Sequence, residues 1–114
     1  MNDDAIDIKE VMDRVQDDRE LLIELVQIFT DDYVEKKKMI DEAVAKNDFD
    51  QVRNIAHGLK GASGNISAKK LRISFADLGQ MAKSKDLSKA KETLALIDQQ
   101  FSELKDFAAK NLKK

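Results

Sequence analysis

Apolar residues recur along the chain at intervals of three and four, the spacing of one buried helical face. The first run is short: Ile8, Val11, Met12 and Val15. The second carries Leu22, Leu25, Val26, Phe29, Tyr33, Ile40, Ala43 and Val44. Lys36, Lys37 and Lys38 interrupt its middle, although their long stems can cover apolar neighbours. The third has Val52, Ile55, Ala56, Leu59 and Ala62, and the fourth Leu71, Phe75, Leu78 and Ala82. The fifth runs through Leu87, Ala90, Leu94, Ile97, Phe101, Leu104 and Ala108, close to a heptad. Polar residues punctuate these runs. Asp7 with Glu10, Asp17 with Glu20, and Asp48 with Gln51 each have the spacing of a capping box. Asn47 suits a left-handed helix end, Gly64-Asn65 suits another, and Ser67 suits an N-cap. The pattern predicts helices over 7–15, 18–46, 49–63, 68–83 and 87–111, with the tail from Lys110 onward fraying.

The four longer helices are amphipathic and joined by short connections, which make consecutive helices antiparallel neighbours. The expected fold is all-α: an antiparallel up-down four-helix bundle, with the short first helix capping one end. The length of 114 residues suits one domain spanning 1–114. Zero Pro, four Gly and one Tyr agree with helices rather than sheet.

Charge removes several function classes. Twenty basic and 22 acidic residues are mixed along the chain, for a net charge of −2. A nucleic-acid surface needs a basic excess, so no nucleic-acid partner is expected. No stretch reaches the ~20 apolar residues that cross a bilayer, so no membrane insertion is expected. The start, Met1-Asn2-Asp3-Asp4, is acidic rather than the basic start of a signal peptide, and the expected location is the cytoplasm. With no Cys there are no disulfides, thiol nucleophiles or Cys-based zinc sites.

The single histidine, His57, is the remaining candidate for unusual chemistry. On a wheel at ~100° per residue, Val52, Ile55, Leu59 and Ala62 all fall more than ~130° away from it. Arg53, Asn54, Lys60, Gly61 and Gly64 fall within ~60°. His57 is therefore expected to point away from the core. Three of the four glycines, Gly58, Gly61 and Gly64, lie within seven residues of it. A Gly inside a helix costs about 1 kcal/mol relative to Ala. Gly64 can be a helix end, but Gly58 and Gly61 work against their own helix, as residues at functional sites do. Their use would be clearance for a macromolecule or a phosphoryl group approaching the imidazole.

Other readings of the histidine fit less well. A solvated surface residue explains His57 and Lys60 but leaves the glycines unexplained. A di-iron bundle needs Glu three residues before each inward His, and Asn54 stands there. A haem held by His57 and Met81 needs an inward histidine. A hydrolase lacks its nucleophile-elbow motif, and Ser63 lies ~120° round the helix from His57. No intrinsic metal or cofactor is expected.

A neutral imidazole is nucleophilic near physiological pH and can hold a phosphoryl group covalently. Lys60 is placed to offset the added negative charge, with Arg53 as a weaker auxiliary. Neither a carboxylate cluster beside His57 nor a Gly-rich nucleotide loop is present to complete the transfer, so a partner must.

The segment Ala56-His57-Gly58-Leu59-Lys60-Gly61-Ala62-Ser63-Gly64-Asn65-Ile66 resembles the signature of histidine-containing phosphotransfer (HPt) domains. Ala68, Leu71 and Leu78 continue the pattern. Ile6-Asp7 and the Leu21-Leu22 to Phe29 segment resemble the family's first two helices. The resemblance covers essentially the whole chain. It implies a phosphorelay intermediate in two-component signalling, without kinase activity of its own. Its partners would be a response-regulator receiver domain, a hybrid sensor kinase, or both, with Mg²⁺ held by the receiver. By the resemblance, His57 is the phosphorylated residue, Lys60 supports the phosphate and Gly61 keeps the histidine accessible. Leu59, Leu71 and Leu78 match packing positions. Gly58 and Gly64 would extend the docking strip. Asn54 and Gln80 are auxiliary candidates.

Two positions depart from the family pattern: Ser67 stands where Gly is usual, and Gly79 stands where Glu or Gln is frequent. Gln80 is adjacent to Gly79 but ~100° round the helix. The rival class is a helical docking module that binds a receiver or other signalling partner and is never phosphorylated. A weaker one is a homodimer formed through the fifth helix, although a monomer is expected.

Overall fold

The computed structural model describes residues 4–112 and forms an all-α bundle. Its helices are α1 (Ile8–Arg14), α2 (Arg19–Ala45), α3 (Phe49–Asn65), α4 (Lys69–Lys83) and α5 (Ala90–Asn111). Consecutive long helices pack in pairs, and α2 also meets α5, which closes the four-helix ring. Cross-helix contacts fix the directions. Ser74 Oγ donates to Gln100 Oε1 at 2.7 Å, and Lys70 meets Glu103 at 3.9 Å, so α4 and α5 run antiparallel. Arg19, in the first turn of α2, donates to the carbonyl of Asn111 at the end of α5.

The predicted apolar stripes supply the core. Leu22, Val26, Phe29, Tyr33, Ile40 and Ala43 bury one face of α2 against the other helices. Four aromatic rings fill the middle, with Tyr33 4.3 Å from Phe101 and 6.1 Å from Phe75 between ring centroids. The Tyr33 hydroxyl donates to Asp98 Oδ1 at 3.0 Å, and Lys37 Nζ meets Asp98 Oδ2 at 3.0 Å. The lysine gap in the α2 stripe is thus closed partly by an ion pair to α5.

Local chemistry sets the ends. Asp7 and Asp48 accept from the backbone N–H groups of Glu10 and Gln51, as predicted. The α2 cap is Asp18, which accepts from Leu21 N, and not the predicted Asp17. Asp17 is left-handed at φ 62°, a conformation that removes it from the extended region an N-cap needs. The first capping box is half formed: the Asp7 N–H donates to Ser67 O instead of Glu10. Asn47 is left-handed as expected, at φ 54°.

Three boundaries differ from expectation. Helix α3 continues through Gly64 to Asn65, and the left-handed residue that ends the segment is Ser67, at φ 56°. Ser67 does not cap α4. Ala68 occupies that position without a side-chain bond, while Ser67 Oγ turns back to donate to Glu10 Oε1 at 2.9 Å. Helix α5 begins at Ala90 rather than 87, because Asp86 accepts from Ser88 N and shapes a turn there. The tail does not fray at Lys110: α5 continues to Asn111, and Leu112 is buried. Residues 1–3 and 113–114, including the acidic start and the last two lysines, lie outside the described residues. Ile6, ahead of the first cap, is fully buried although it belongs to no periodic run.

Helix α1 lies across the bundle end and is tied to the α3–α4 corner. Lys69 Nζ meets Glu10 Oε2 at 2.8 Å and Asp7 Oδ2 at 3.1 Å. Arg14 donates to the carbonyl of Gly64. Among the described residues no helix is long and apolar enough to cross a membrane.

Candidate functional site

Helix α3 buries Val52, Ala56, Leu59 and Ser63, and this choice of face turns His57 outward into solvent. Ser63 is fully buried, its hydroxyl donating to the Lys60 carbonyl at 3.0 Å, which removes it as a catalytic partner for His57. Ala62, predicted in the core, is only half-buried. The imidazole has no hydrogen-bond partner among the described residues.

His57 stands where two open grooves meet. The first, about 540 Å³, lies between α3, α1 and the start of α4, and includes Glu10, Arg14, Lys60, Gly61, Arg72 and Ile73. The second, about 350 Å³, lies between α3 and α4 and includes Arg53, Asn54, Lys60, Phe75, Gly79 and Gln80. His57 and Lys60 line both. Arg53, Asn54, Lys60, Gly61 and Gly64 of α3, together with Gln80 of α4, are therefore brought around one imidazole, and Gly58 is not. Gln80 Nε2 donates to Ser84 Oγ at 3.3 Å along its own helix.

The glycines divide into three situations. A Cβ added at Gly58 or Gly61 would meet nothing within 4 Å, so neither is small because of packing inside this chain. Gly58 faces away from the two grooves, toward Asp32 and Lys36 of α2. Gly64 differs, since an added Cβ would come 3.3 Å from Arg72 Cδ. Its missing side chain admits Arg72 and does not leave open space. Gly64 lies in the last turn of α3, close to the expected end at Gly64-Asn65, but it is not left-handed.

Gly79 packs opposite Ala56, where an added Cβ would lie 3.7 Å from the alanine Cβ. Together with the Gly64–Arg72 approach, this fixes the antiparallel register of α3 and α4. The register brings Arg53, His57 and Lys60 of α3 into one groove with Ala76, Gly79 and Lys83 of α4.

Sequence reasoning missed Arg14, Lys69, Arg72, Ile73 and Lys83 as groove residues. Arg72, Ala76, Gly79 and Lys83 do share one face of α4 by their spacing, but the face becomes meaningful only once α4 is placed beside His57. Nothing in the sequence places Arg14 there.

The electrostatics at the corner are local. Hydrogen bonds from Lys69 and Ser67 hold the Glu10 carboxyl below its ordinary range. Its bonds to Glu10 and Asp7 hold the Lys69 amine above its own. Among the described residues no three of His, Asp and Glu gather to hold a metal ion. Chemically, the site is an exposed nucleophile with a neighbouring cation and open approach.

Comparison with known proteins agrees with this arrangement. The family model of the Hpt domain matches residues 24–107. The crystal structure of histidine-containing phosphotransfer protein B (HptB) from Pseudomonas aeruginosa PAO1 superposes with a TM-score of 0.85 at 20% identity, covering 96% of each chain. Among curated proteins, none matches the chain. The family match spans most of the chain and includes the histidine, the lysine and the glycines around them. The chain therefore belongs to the Hpt family, helical phosphocarriers rather than kinases, and serves histidine phosphotransfer in two-component phosphorelays.

Proposed function

We propose that His57 is the residue that carries the phosphoryl group, accepting it from an aspartate of one receiver domain and passing it to another. One observation carries this reading: the chain's only imidazole projects into solvent where two grooves meet, with Lys60 beside it and open space at Gly58 and Gly61. In the accepting step, the lone pair of a ring nitrogen attacks phosphorus. The bond from phosphorus to the aspartyl oxygen breaks, and its electrons leave with the carboxylate. The proton on the other ring nitrogen stays. Lys60 offsets the negative charge that His57 gains. Gly61 keeps the line of attack clear, and Arg53, Asn54 and Gln80 border the approach.

In-line transfer needs charge neutralisation and alignment. On this reading both come largely from the receiver, whose carboxylates hold Mg²⁺. The chain has no autonomous kinase activity and works as a monomer in the cytoplasm, with a receiver domain, a hybrid sensor kinase, or both as partners.

The test is incubation with a phosphorylated receiver. Acid-labile, base-stable label is expected on the wild type and absent from His57→Gln. Label that persists in His57→Gln would overturn the assignment. The absence of a carboxyl or amide side chain at Gly79 favours a second reading, a docking module that is never phosphorylated. That reading requires equal receiver affinity for wild type and His57→Ala, with no label on either.

A further inference from the structure

The surface flanking His57 is not electrically uniform. The two grooves that meet at the imidazole are lined by Arg14, Arg53, Lys60, Lys69, Arg72 and Lys83, and by Glu10 as the one acidic group. The whole chain, by contrast, carries a net charge of −2. Glu10 is already engaged by Lys69 and, at 3.5 Å, by Arg14. Arg53, Lys60, Arg72 and Lys83 have no ion-pair partner among the described residues.

The α2 side of His57 is different. Around Gly58 the lining ions are Asp32 and Lys36, which pair with each other at 3.8 Å.

The register of α3 and α4 lines the free cations along both walls of a valley. Arg53 and Lys60 flank His57 on α3, and Lys83 and Arg72 stand at the two ends of the facing stretch of α4. From Arg72 to Lys83 the valley is about 16 Å long at 1.5 Å per residue. Ile73 adds an apolar side chain 58% exposed in the same groove. Unopposed charges along a concave surface focus the field and speed the capture of an oppositely charged partner. An exposed apolar residue within such a rim is a natural anchor for the docked state.

We infer that the α3–α4 valley is the partner-selecting half of the docking face and takes an acidic surface of the receiver domain. This rests on the phosphocarrier reading above. The acidic surface lies beside the receiver's phosphorylated aspartate, because His57 lies between the two ends of the valley. Arg72 and Lys83 act on the encounter, and Ile73 acts on the lifetime of the complex. Charge across an interface governs mainly association and its salt dependence, whereas buried apolar contacts govern dissociation.

The experiment uses the full chain and a receiver domain chosen from a panel for transfer to the wild type. Association is followed by stopped flow across ionic strengths, and phosphoryl label is read in parallel from the receiver and from phosphoramidate, a donor that needs no docking. The double variant Arg72→Glu, Lys83→Glu is expected to associate about tenfold or more slowly at low salt, with a flattened or inverted salt dependence. It should still take label from phosphoramidate. Ile73→Ser should raise the dissociation rate with little change in association. Lys91→Glu, on α5, reverses a charge away from the valley and should behave as wild type.

Wild-type association and salt dependence in the double variant would overturn the inference. So would an equal effect from Lys91→Glu, loss of phosphoramidate labelling in the double variant, or preferential binding of duplex DNA over every receiver. Failure of the wild type to take label from any receiver of the panel or from phosphoramidate would instead overturn the phosphocarrier reading beneath it.

Discussion

Lys69 Nζ, in the first turn of α4, lies 2.8 Å from Glu10 Oε2 of α1, and this contact joins the N-terminal helix to one wall of the groove beside His57. Ser67 Oγ donates to the other oxygen of the same carboxylate, and the backbone of Asp7 is bonded to Ser67 O at 3.0 Å. The corner is a clasp built from two helices and a connecting turn. The Glu10 pKa is held down, so the stabilisation is present above the ordinary carboxylate range and is lost as pH falls through the lowered value. Amide exchange should report it: the Asp7 N–H loses protection in acid before the bundle core unfolds. Glu10→Gln should remove that acid step. An unchanged acid profile at Asp7 in this variant would show that the clasp does not depend on Glu10.

The chain's only tyrosine gives an alkaline counterpart. Burial, with the Asp98 charge beside it, pushes the Tyr33 hydroxyl well above its ordinary value. A group raised on folding contributes stability that is intact below its unfolded pKa of about 10 and declines as pH rises beyond it. Tyrosinate absorbance should therefore rise together with loss of helical signal, not ahead of it. Tyr33→Phe should remove this alkaline dependence while costing about 1 kcal/mol for the lost bond. Tyrosinate formed in a fully helical protein would contradict the buried, bonded hydroxyl.

Ser67 supports a pair of opposing substitutions. Its left-handed backbone costs a non-glycine residue about 1–2 kcal/mol. This is the physical reason that glycine suits the position. Ser67→Gly relieves that cost and loses the hydroxyl bond to Glu10, so urea unfolding should place it within about 1 kcal/mol of wild type. Ser67→Ala loses the same bond and keeps the backbone cost, and should be the less stable variant by about 1 kcal/mol. The reverse order would mean that the turn is not left-handed in solution.

The glycines of α3 separate stability from transfer. Gly58→Ala and Gly61→Ala add a Cβ into open space on a helix and should each stabilise the fold by about 0.5–1 kcal/mol. Gly64→Ala should gain less, because Arg72 must shift to admit it. Gly61→Gln should keep the fold intact and block phosphoryl transfer from a receiver. Thermal melts and receiver-to-protein label, measured on the same preparations, test both halves. A Gly61→Gln variant that transfers normally would remove the clearance argument.

Much of this architecture is written in the chain. The three-and-four spacing predicts every helix because burying one stripe per helix is the dominant favourable term, and the stripe is a property of local order. The same wheel turns His57 outward, since Val52, Ala56 and Leu59 must turn inward. Asp7 and Asp48 cap as their spacing predicts, because an N-cap bond reaches only three residues along the chain.

What failed locally failed for a tertiary reason. Ser67 reads as a cap, but its hydroxyl is claimed by Glu10, 57 residues away. Gly64 reads as part of an open docking strip, but its bareness is filled by Arg72 from the next helix. Leu112 reads as a fraying tail, but the bundle buries it. The valley beside His57 belongs to the same class. Arg53, Arg72 and Lys83 are unremarkable charges on separate stretches of sequence. Only the packing of α3 against α4, with Gly79 against Ala56 and Gly64 against Arg72, sets the register that places them around the imidazole. Periodicity records which face of a helix turns inward; which neighbour it meets, and at what register, is decided by side chains that touch only after the bundle has closed.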